Sequence, residues 1–169
     1  MPVADLTERI SLRRAIPLVA VETMGLAVLF GIYWSLDARD SVLAPLLVPP
    51  VVSFVLVVAS STAIGARPGR VVGSYVIAGC IGLGVAALPG AAFPAAVVAG
   101  GLTMLAMHLT GALHSPAIAV AIIAVLTNFG RSEAIMALPM LLLLALLVVG
   151  LAWSAHKVLG DVEYPSKIW

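Results

Sequence analysis

The sequence predicts an all-α membrane protein, a polytopic bundle of about six hydrophobic segments. Hydrophobic residues make up 62% of the chain and charged residues 10%, whereas about a quarter of a soluble domain is charged. The mean hydropathy is +1.16. A soluble domain of 169 residues has no core large enough to bury that much apolar surface. The chain is therefore expected in a lipid bilayer.

The apolar residues form runs at 16–36, 43–65, 71–88, 94–111, 116–128 and 134–156. The separators carry charge, glycine or proline: DARD at 37–40, ARPGR at 66–70, LPGAAFP at 88–94, LHSP at 113–116 and GRSE at 130–133. None of them is long enough for a soluble domain. We expect one transmembrane domain over 16–156, between an N-terminal segment 1–15 and a tail 157–169.

The first run is interpreted as a span that the mature protein keeps. It follows a charged stretch containing Arg9, Arg13 and Arg14. It is too long for the apolar region of a signal peptide, and no small-residue cleavage site follows it.

Residues 94–128 are too long for one straight crossing. A helix of that length would extend about 50 Å, whereas the hydrocarbon core is about 30 Å thick. Proline is favoured in the first turn of a helix and serine at its N-cap, so Ser115 and Pro116 predict that a new helix starts there. Segment 116–128 would then be short, a tilted or half-length helix of the kind that borders transport sites.

Charge counting favours six segments. With the N-terminus in the cytoplasm, seven basic residues lie inside and two, Arg39 and Arg131, lie outside; the seven are Arg9, Arg13, Arg14, Arg67, Arg70, Lys157 and Lys167. Counting 94–128 as one crossing changes the ratio to six to three, which the positive-inside rule favours less. We expect both termini in the cytoplasm and the protein in a bacterial plasma membrane.

His114 is the first candidate for a binding residue, together with Ser115 and Pro116 beside it. A helix N-terminus and an imidazole both offer donors to an anion, and the ring is able to gain a proton as the anion binds. The equally weighted alternative is a histidine that fixes the turn through backbone hydrogen bonds. His108 is interpreted as a packing residue that faces the bundle.

Glu22 is the one acidic residue inside a well-defined span. A carboxylate there is costly unless it is paired, protonated or hydrated, which favours a proton or cation coupling site. The alternative is a local hydrogen bond near the interface. Arg67 and Arg70 are expected either to fix the topology or to form a basic rim that concentrates anions.

Two features concern packing. Gly69 and Gly73, and then Ala78 and Gly82, recur at four-residue spacing and predict a helix at the centre of the bundle. Near the start of the second run, three prolines are expected to bend or break the helix, with Ser53 as a spare hydroxyl at the break; they are Pro45, Pro49 and Pro50.

Several function classes are disfavoured. No basic block suggests nucleic-acid binding. The single cysteine, Cys80, excludes an intrachain disulfide, and no set of ligands suggests a metal or other cofactor. No nucleophile–base spacing or paired acidic motif suggests an enzyme. A non-transporting scaffold or accessory subunit remains an alternative to a transporter.

Three stretches together resemble the HPP family of small integral membrane proteins: PPVVSFVLVV (49–58), ARPGRVVGSY (66–75) and ALHSPAIAVAIIAVL (112–126). The family carries P-x-G-A-S, then Q-P-R-N-x-x-G-G-H, then L-H-P-P-A. Pro49 and Ser53 match the first motif, Pro68, Val71 and Gly73 the second, and Leu113, His114, Pro116 and Ala117 the third. The resemblance covers roughly residues 42–156.

The chain is similar to a divergent member of that family. Ser115 replaces the first proline of the signature, Val51 and Val52 replace Gly-Ala, Gly69 replaces the arginine and Tyr75 replaces the histidine of the second motif. The resemblance implies a helical transporter, and nitrite transport has been proposed for some members. We expect a small-anion transporter or channel. Because a 17.3 kDa chain has little material to enclose a pathway, we expect a homo-oligomer, a dimer or trimer.

Overall fold

The computed structural model describes residues 12–35, 44–60, 62–90, 92–127, 131–160, 164–165 and 167–169. Arg9 and the separator containing Arg39 lie outside the described residues, as do the side chains of Arg13, Arg14 and Arg131. The charge count that includes them therefore stays a prediction.

The described chain is an all-α bundle, as the sequence predicts. Its helices are α1 (Leu12–Ser35), α2 (Val48–Ala59), α3 (Pro68–Ala86), α4 (Ala92–Thr110), α5 (Ser115–Leu126) and α6 (Arg131–Leu159), with short 3₁₀ turns at Ala44–Leu47 and Ile64–Ala66.

Proline and glycine account for several of these helix boundaries. α2, α3 and α5 each carry proline at one of their first two positions, where the missing N–H costs no hydrogen bond. α4 and α6 are each followed by a glycine with positive φ, Gly111 (+69°) and Gly160 (+75°), a conformation that glycine adopts with little strain.

The second segment differs from the prediction. The apolar run suggested a helix over much of 43–65, but α2 has only 12 residues and ends at Ala59. Pro49 and Pro50 lie in its first turn, so they start the helix and do not break it, while Pro45 lies in the preceding 3₁₀ turn. The sequence does carry a signal for this end, because Ser60, Ser61 and Thr62 interrupt the apolar run directly after Ala59, and the prediction extended the segment past them.

Within the described ranges, four helices are long and apolar enough to cross a membrane: α1, α3, α4 and α6. α2 and α5 are shorter, and 12 residues of α-helix extend about 18 Å, against a hydrocarbon core of about 30 Å. The short helix predicted after His114 is therefore present, and α2 is a second one.

α3 lies at the centre, as its small residues predict, in contact with α4, α5 and α6. A Cβ on Gly82 would lie 2.6 Å from Cα of Ala121 in α5, so the two helices meet backbone to backbone. A Cβ on Gly79 would lie 2.8 Å from a methyl group of Leu138 in α6. Gly69 and Gly73, in contrast, are covered by Trp169 of the same chain.

One end of the bundle gathers three segments that are distant in sequence. The turn at 64–67 lies against the 111–114 turn through the His114–Gly65 hydrogen bond. Residues 164–165 and 167–169, here called the tail segment, lie against the start of α3 through a hydrogen bond from the Gly69 amide to the Ile168 oxygen. The separators at 66–70 and 113–116 therefore share one end of the molecule.

Candidate functional site

His114 occupies the junction between α4 and α5. The chain turns at Gly111, and His114 then takes an extended conformation, with φ −144° and ψ 100°, immediately before α5 begins. Its carbonyl accepts the Ala117 amide at 3.1 Å, while its side chain points away from the helix end and caps no amide. The side chain is only 1% exposed.

The His114 ring links three other groups in a continuous chain of hydrogen bonds. Nδ1 lies 2.9 Å from the carbonyl oxygen of Gly65, and Nε2 lies 2.8 Å from Oγ of Ser53 in α2. Ser53 Oγ in turn lies 2.7 Å from Oη of Tyr75 in α3. We call these four residues, Gly65, His114, Ser53 and Tyr75, the polar seam.

The direction of each hydrogen bond in the polar seam follows from chemistry. A carbonyl oxygen only accepts, so Nδ1 of His114 carries a hydrogen and donates to Gly65. The ring is neutral, because an imidazolium without a counter-ion is costly in apolar surroundings. Nε2 therefore accepts from Ser53, whose Oγ accepts from the Tyr75 hydroxyl. Every hydrogen-bonding atom of the His114 ring thus has a protein partner.

The polar seam unites residues that the sequence suggests separately. Ser53, Tyr75 and His114 come one each from the stretches 49–58, 66–75 and 112–126, and all three are almost fully buried. Hydrogen-bonded hydroxyl and imidazole groups surrounded by apolar helices are costly to place and are typical of functional positions in membrane proteins.

The residues beside His114 do not join the polar seam. Ser115 was suggested as an N-cap, but the cap position belongs to His114, and Ser115 is the first helical residue, exposed at the surface. The extended conformation of His114 moves the boundary by one residue. Pro116 is half-buried in the first turn, where it sets the helix direction.

Of the charged candidates, Glu22 lies on a helix outside the polar seam, and the two arginines lie near its Gly65 end. Glu22 is half-buried on α1, a helix that packs against α2 and α6. Arg67 and Arg70, both half-buried, lie at the start of α3, close to the turn that contains Gly65. Arg67 Nη1 donates to the main-chain oxygen of Trp169 at 2.9 Å, whereas the buried Nε of Arg70 has no hydrogen-bond partner among the described residues.

His108 is not the bundle-facing residue that the sequence suggested. It lies in the last turn of α4 with its side chain exposed. Its neighbour Met107 occupies the buried position on that turn. A helix this uniformly apolar gives no periodic signal to distinguish the two faces, which is why the interpretation was wrong.

Sequence reasoning missed two members of the polar seam and a second buried histidine. The sequence offered one signal for Tyr75, because it replaces the histidine of the Q-P-R-N-x-x-G-G-H motif. Gly65 contributes only a backbone carbonyl, which leaves no signal in sequence. His156 in α6 is 2% exposed; its Nε2 donates to the Val57 carbonyl at 3.3 Å and its ring lies 4.5 Å from that of Tyr164.

The tail segment closes the end of the bundle next to the polar seam. Burial raises the pKa of Tyr164 to about 12, so its hydroxyl stays protonated and donates to the Ala66 carbonyl at 3.2 Å. The Trp169 ring lies against Gly69 and Gly73. These contacts hold the 64–67 turn, whose Gly65 carbonyl holds His114.

Two cavities bordered by described residues are apolar and lie away from the polar seam. One, of about 250 Å³, lies between the end of α1 and the start of α2, beside Leu29 and Val48. The other, of about 180 Å³, lies between α1, α2 and α6, beside Val21 and Leu151. Neither is bordered by His114 or Ser53.

Comparison with known proteins gives one match. Residues 7–165 match the family model described as "HPP, transmembrane region". No curated protein and no solved structure matches the chain.

Proposed function

Since the chain belongs to the HPP family of membrane proteins, we propose that it is a subunit of a transporter or channel for a small inorganic anion such as nitrite. The observation that carries the proposal is the polar seam, a buried line of hydrogen-bonding groups between the two short helices α2 and α5. Short, interrupted helices whose ends meet near polar groups are how many transporters form a site inside the bilayer.

The chemistry of the polar seam suits an anion. Tyr75, Ser53 and His114 each bring a hydrogen that is able to turn toward a negatively charged guest in place of its present acceptor. Basic side chains lie at the same end, since Arg67 and Arg70 start α3 and Lys157 ends α6. Positive charge at an entrance raises the local concentration of anions.

The resting chain is closed. His114 is 1% exposed and both of its ring nitrogens are engaged, so an anion reaches it only after the 64–67 turn moves. We place the pathway in an oligomer, a dimer or trimer, because one small bundle encloses little space. Mass measurement in nanodiscs checks this, and a monomer would contradict it.

The alternative is a scaffold or accessory subunit that moves no solute. The apolar cavities among α1, α2 and α6 suit contact with lipid or with another apolar helix as well as they suit any transport role. The two functions differ in one measurable property, the passage of an anion across a sealed vesicle.

The decisive experiment is nitrite uptake into liposomes containing the purified protein, compared with protein-free vesicles. We expect wild type to exceed the empty vesicles and His114→Ala to lose uptake at least about tenfold, equivalent to about 1.4 kcal/mol. His108→Ala is the matched control, because that histidine is exposed and outside the polar seam. If wild type takes up nitrite no faster than empty vesicles, the protein is a scaffold or accessory subunit. If wild type and His114→Ala take up nitrite equally fast, His114 has a structural role only.

The same uptake assay, repeated at several pH values, tests the protonation of His114. An entering anion supplies the counter-charge that a buried imidazolium lacks, so proton uptake by His114 and anion entry should favour each other. Nitrite uptake should therefore increase as the pH is lowered in wild type and in His108→Ala. A pH-independent rate would show that the ring remains neutral throughout.

A further inference from the structure

The start of α3 holds two oxygen atoms of the tail segment with donors that suit an anion. The amide of Gly69, in the first helical turn, donates to the Ile168 oxygen at 2.7 Å. The guanidinium of Arg67 donates to the Trp169 oxygen at 2.9 Å. A first-turn amide together with an arginine is a common arrangement for binding oxyanions.

The tail segment packs closely against α3 because Gly69 has no side chain. A Cβ on Gly69 would overlap the Trp169 ring and would lie 2.7 Å from the Ile168 oxygen. Position 69 therefore has to be glycine for the tail to approach the helix this closely.

We propose that the tail segment is an autoinhibitory strap, whose main-chain oxygens at residues 168 and 169 occupy a position for an oxyanion at the start of α3. The inference rests on the proposed function for its choice of a small anion. Arg70, one helical turn after Arg67, supports it, because its buried Nε is a donor that has no hydrogen-bond partner among the described residues.

The strap also locks the polar seam. Tyr164 donates to the Ala66 carbonyl, and Arg67 donates to the Trp169 oxygen. Ala66 and Arg67 both belong to the 64–67 turn, whose Gly65 carbonyl accepts a hydrogen bond from His114. An oxyanion that displaces the tail oxygens releases these contacts. The turn then becomes free to uncover His114, so the anion itself opens the entrance.

The test uses the full chain with Gly69→Ala, which expels the tail while it keeps the amide at position 69 and the Arg67 side chain. Gly84→Ala is the control on the same helix, because nothing lies within 4 Å of a Cβ there. The measurement is hydrogen–deuterium exchange of the amide at position 69, in a maltoside detergent that carries no phosphate, with and without sodium nitrite.

We expect Gly69→Ala to exchange at least about tenfold faster than wild type and Gly84→Ala, and nitrite to slow that exchange again. Adding Arg67→Gln to Gly69→Ala should abolish the protection by nitrite. A parallel arm replaces nitrite with phosphatidylglycerol; protection there would support the oxyanion position and identify a lipid headgroup as its occupant.

Two results would overturn the inference: unchanged exchange in Gly69→Ala, or faster exchange that neither nitrite nor phosphatidylglycerol slows. The readout is independent of transport, because it reports a single amide in detergent. Vesicles without nitrite uptake would refute the proposed function but would not change the exchange result at position 69. Unchanged exchange at position 69 would refute the strap but would not change the uptake result.

Discussion

The Ser53 hydroxyl is the central atom of the polar seam. It accepts from Tyr75 and donates to His114, so one oxygen atom joins α2, α3 and the turn before α5. A backbone carbonyl beyond His114 completes the chain, and no formal charge is needed. Burying polar side chains in a bilayer costs the least free energy when they are neutral and every hydrogen-bonding group has a partner.

Ser53→Ala should destabilise the protein by about 1–2 kcal/mol, because Tyr75 loses its acceptor and His114 loses its donor in an apolar environment. The check is the midpoint of unfolding in a titration with sodium dodecyl sulfate. Ser115→Ala, at an exposed position, should stay within about 0.5 kcal/mol of wild type. Equal midpoints for all three proteins would mean that the polar seam does not hold the helices together.

At the scale of elements, the glycines of α3 determine which helices approach closely. Gly82 allows backbone contact with α5 and Gly79 admits a leucine of α6. Gly69 and Gly73 are four residues apart, as Ala78 and Gly82 are, but they contact the tail segment, so one sequence pattern has two uses along one helix.

Gly82→Ala should destabilise the bundle by about 1–3 kcal/mol, since the new methyl group meets the backbone of Ala121, which has no rotamer to change. Gly84→Ala has open space and removes a poor helix former, so it should be neutral or stabilising by up to about 1 kcal/mol. Detergent unfolding of the two variants compares them directly. A Gly82→Ala protein as stable as Gly84→Ala would show that α3 and α5 separate readily.

At the scale of the whole molecule, the described helices alternate in direction. The middle of α1, from Val21, borders the same cavity as the last turns of α6, up to Val158, and the tail segment lies at the start of α3. Both ends of the described chain therefore lie at the same end of the bundle. This arrangement agrees with an even number of passes and places Arg67, Arg70 and Lys157 together.

We expect labelling from the cytoplasm for cysteines introduced at either end of the chain, for example at Thr7 and Lys167, in a protein whose Cys80 has been replaced by serine. The physical reason is the excess of basic residues at that end, which is retained on the cytoplasmic side. A membrane-impermeant maleimide applied to intact cells and to inverted vesicles makes the comparison. Labelling of the two positions from opposite sides would exclude the six-segment topology.

Hydropathy predicted the number and order of the helices, because a bilayer imposes length and composition on each segment. Pro68 and Pro116 lie in the first turns of α3 and α5, where prolines favour helix starts. The end of α2 was predicted wrongly, because the apolar segment was extended past the hydroxyl residues at 60–62 that directly follow Ala59.

The candidate site was predicted only as separate residues. His114 and Ser53 were each singled out, but they are 61 residues apart in sequence, and no local pattern reports a contact at that distance. Tyr75 became visible only as a departure from a motif. The Gly65 carbonyl is chemically identical to every other carbonyl in the chain, so only the folded structure reveals its role.

The position of the strap has a consequence for the order in which the molecule is completed. Arg67 and Trp169 are 102 positions apart in sequence, so the rest of α3 and three further helices, α4, α5 and α6, leave the ribosome before the partner of Arg67 is made. During that interval the Gly69 amide and the Arg67 guanidinium are without their final oxygen acceptors. Every newly made copy therefore passes through a stage without these contacts, and the tail oxygens exist only after all the described helices have been made.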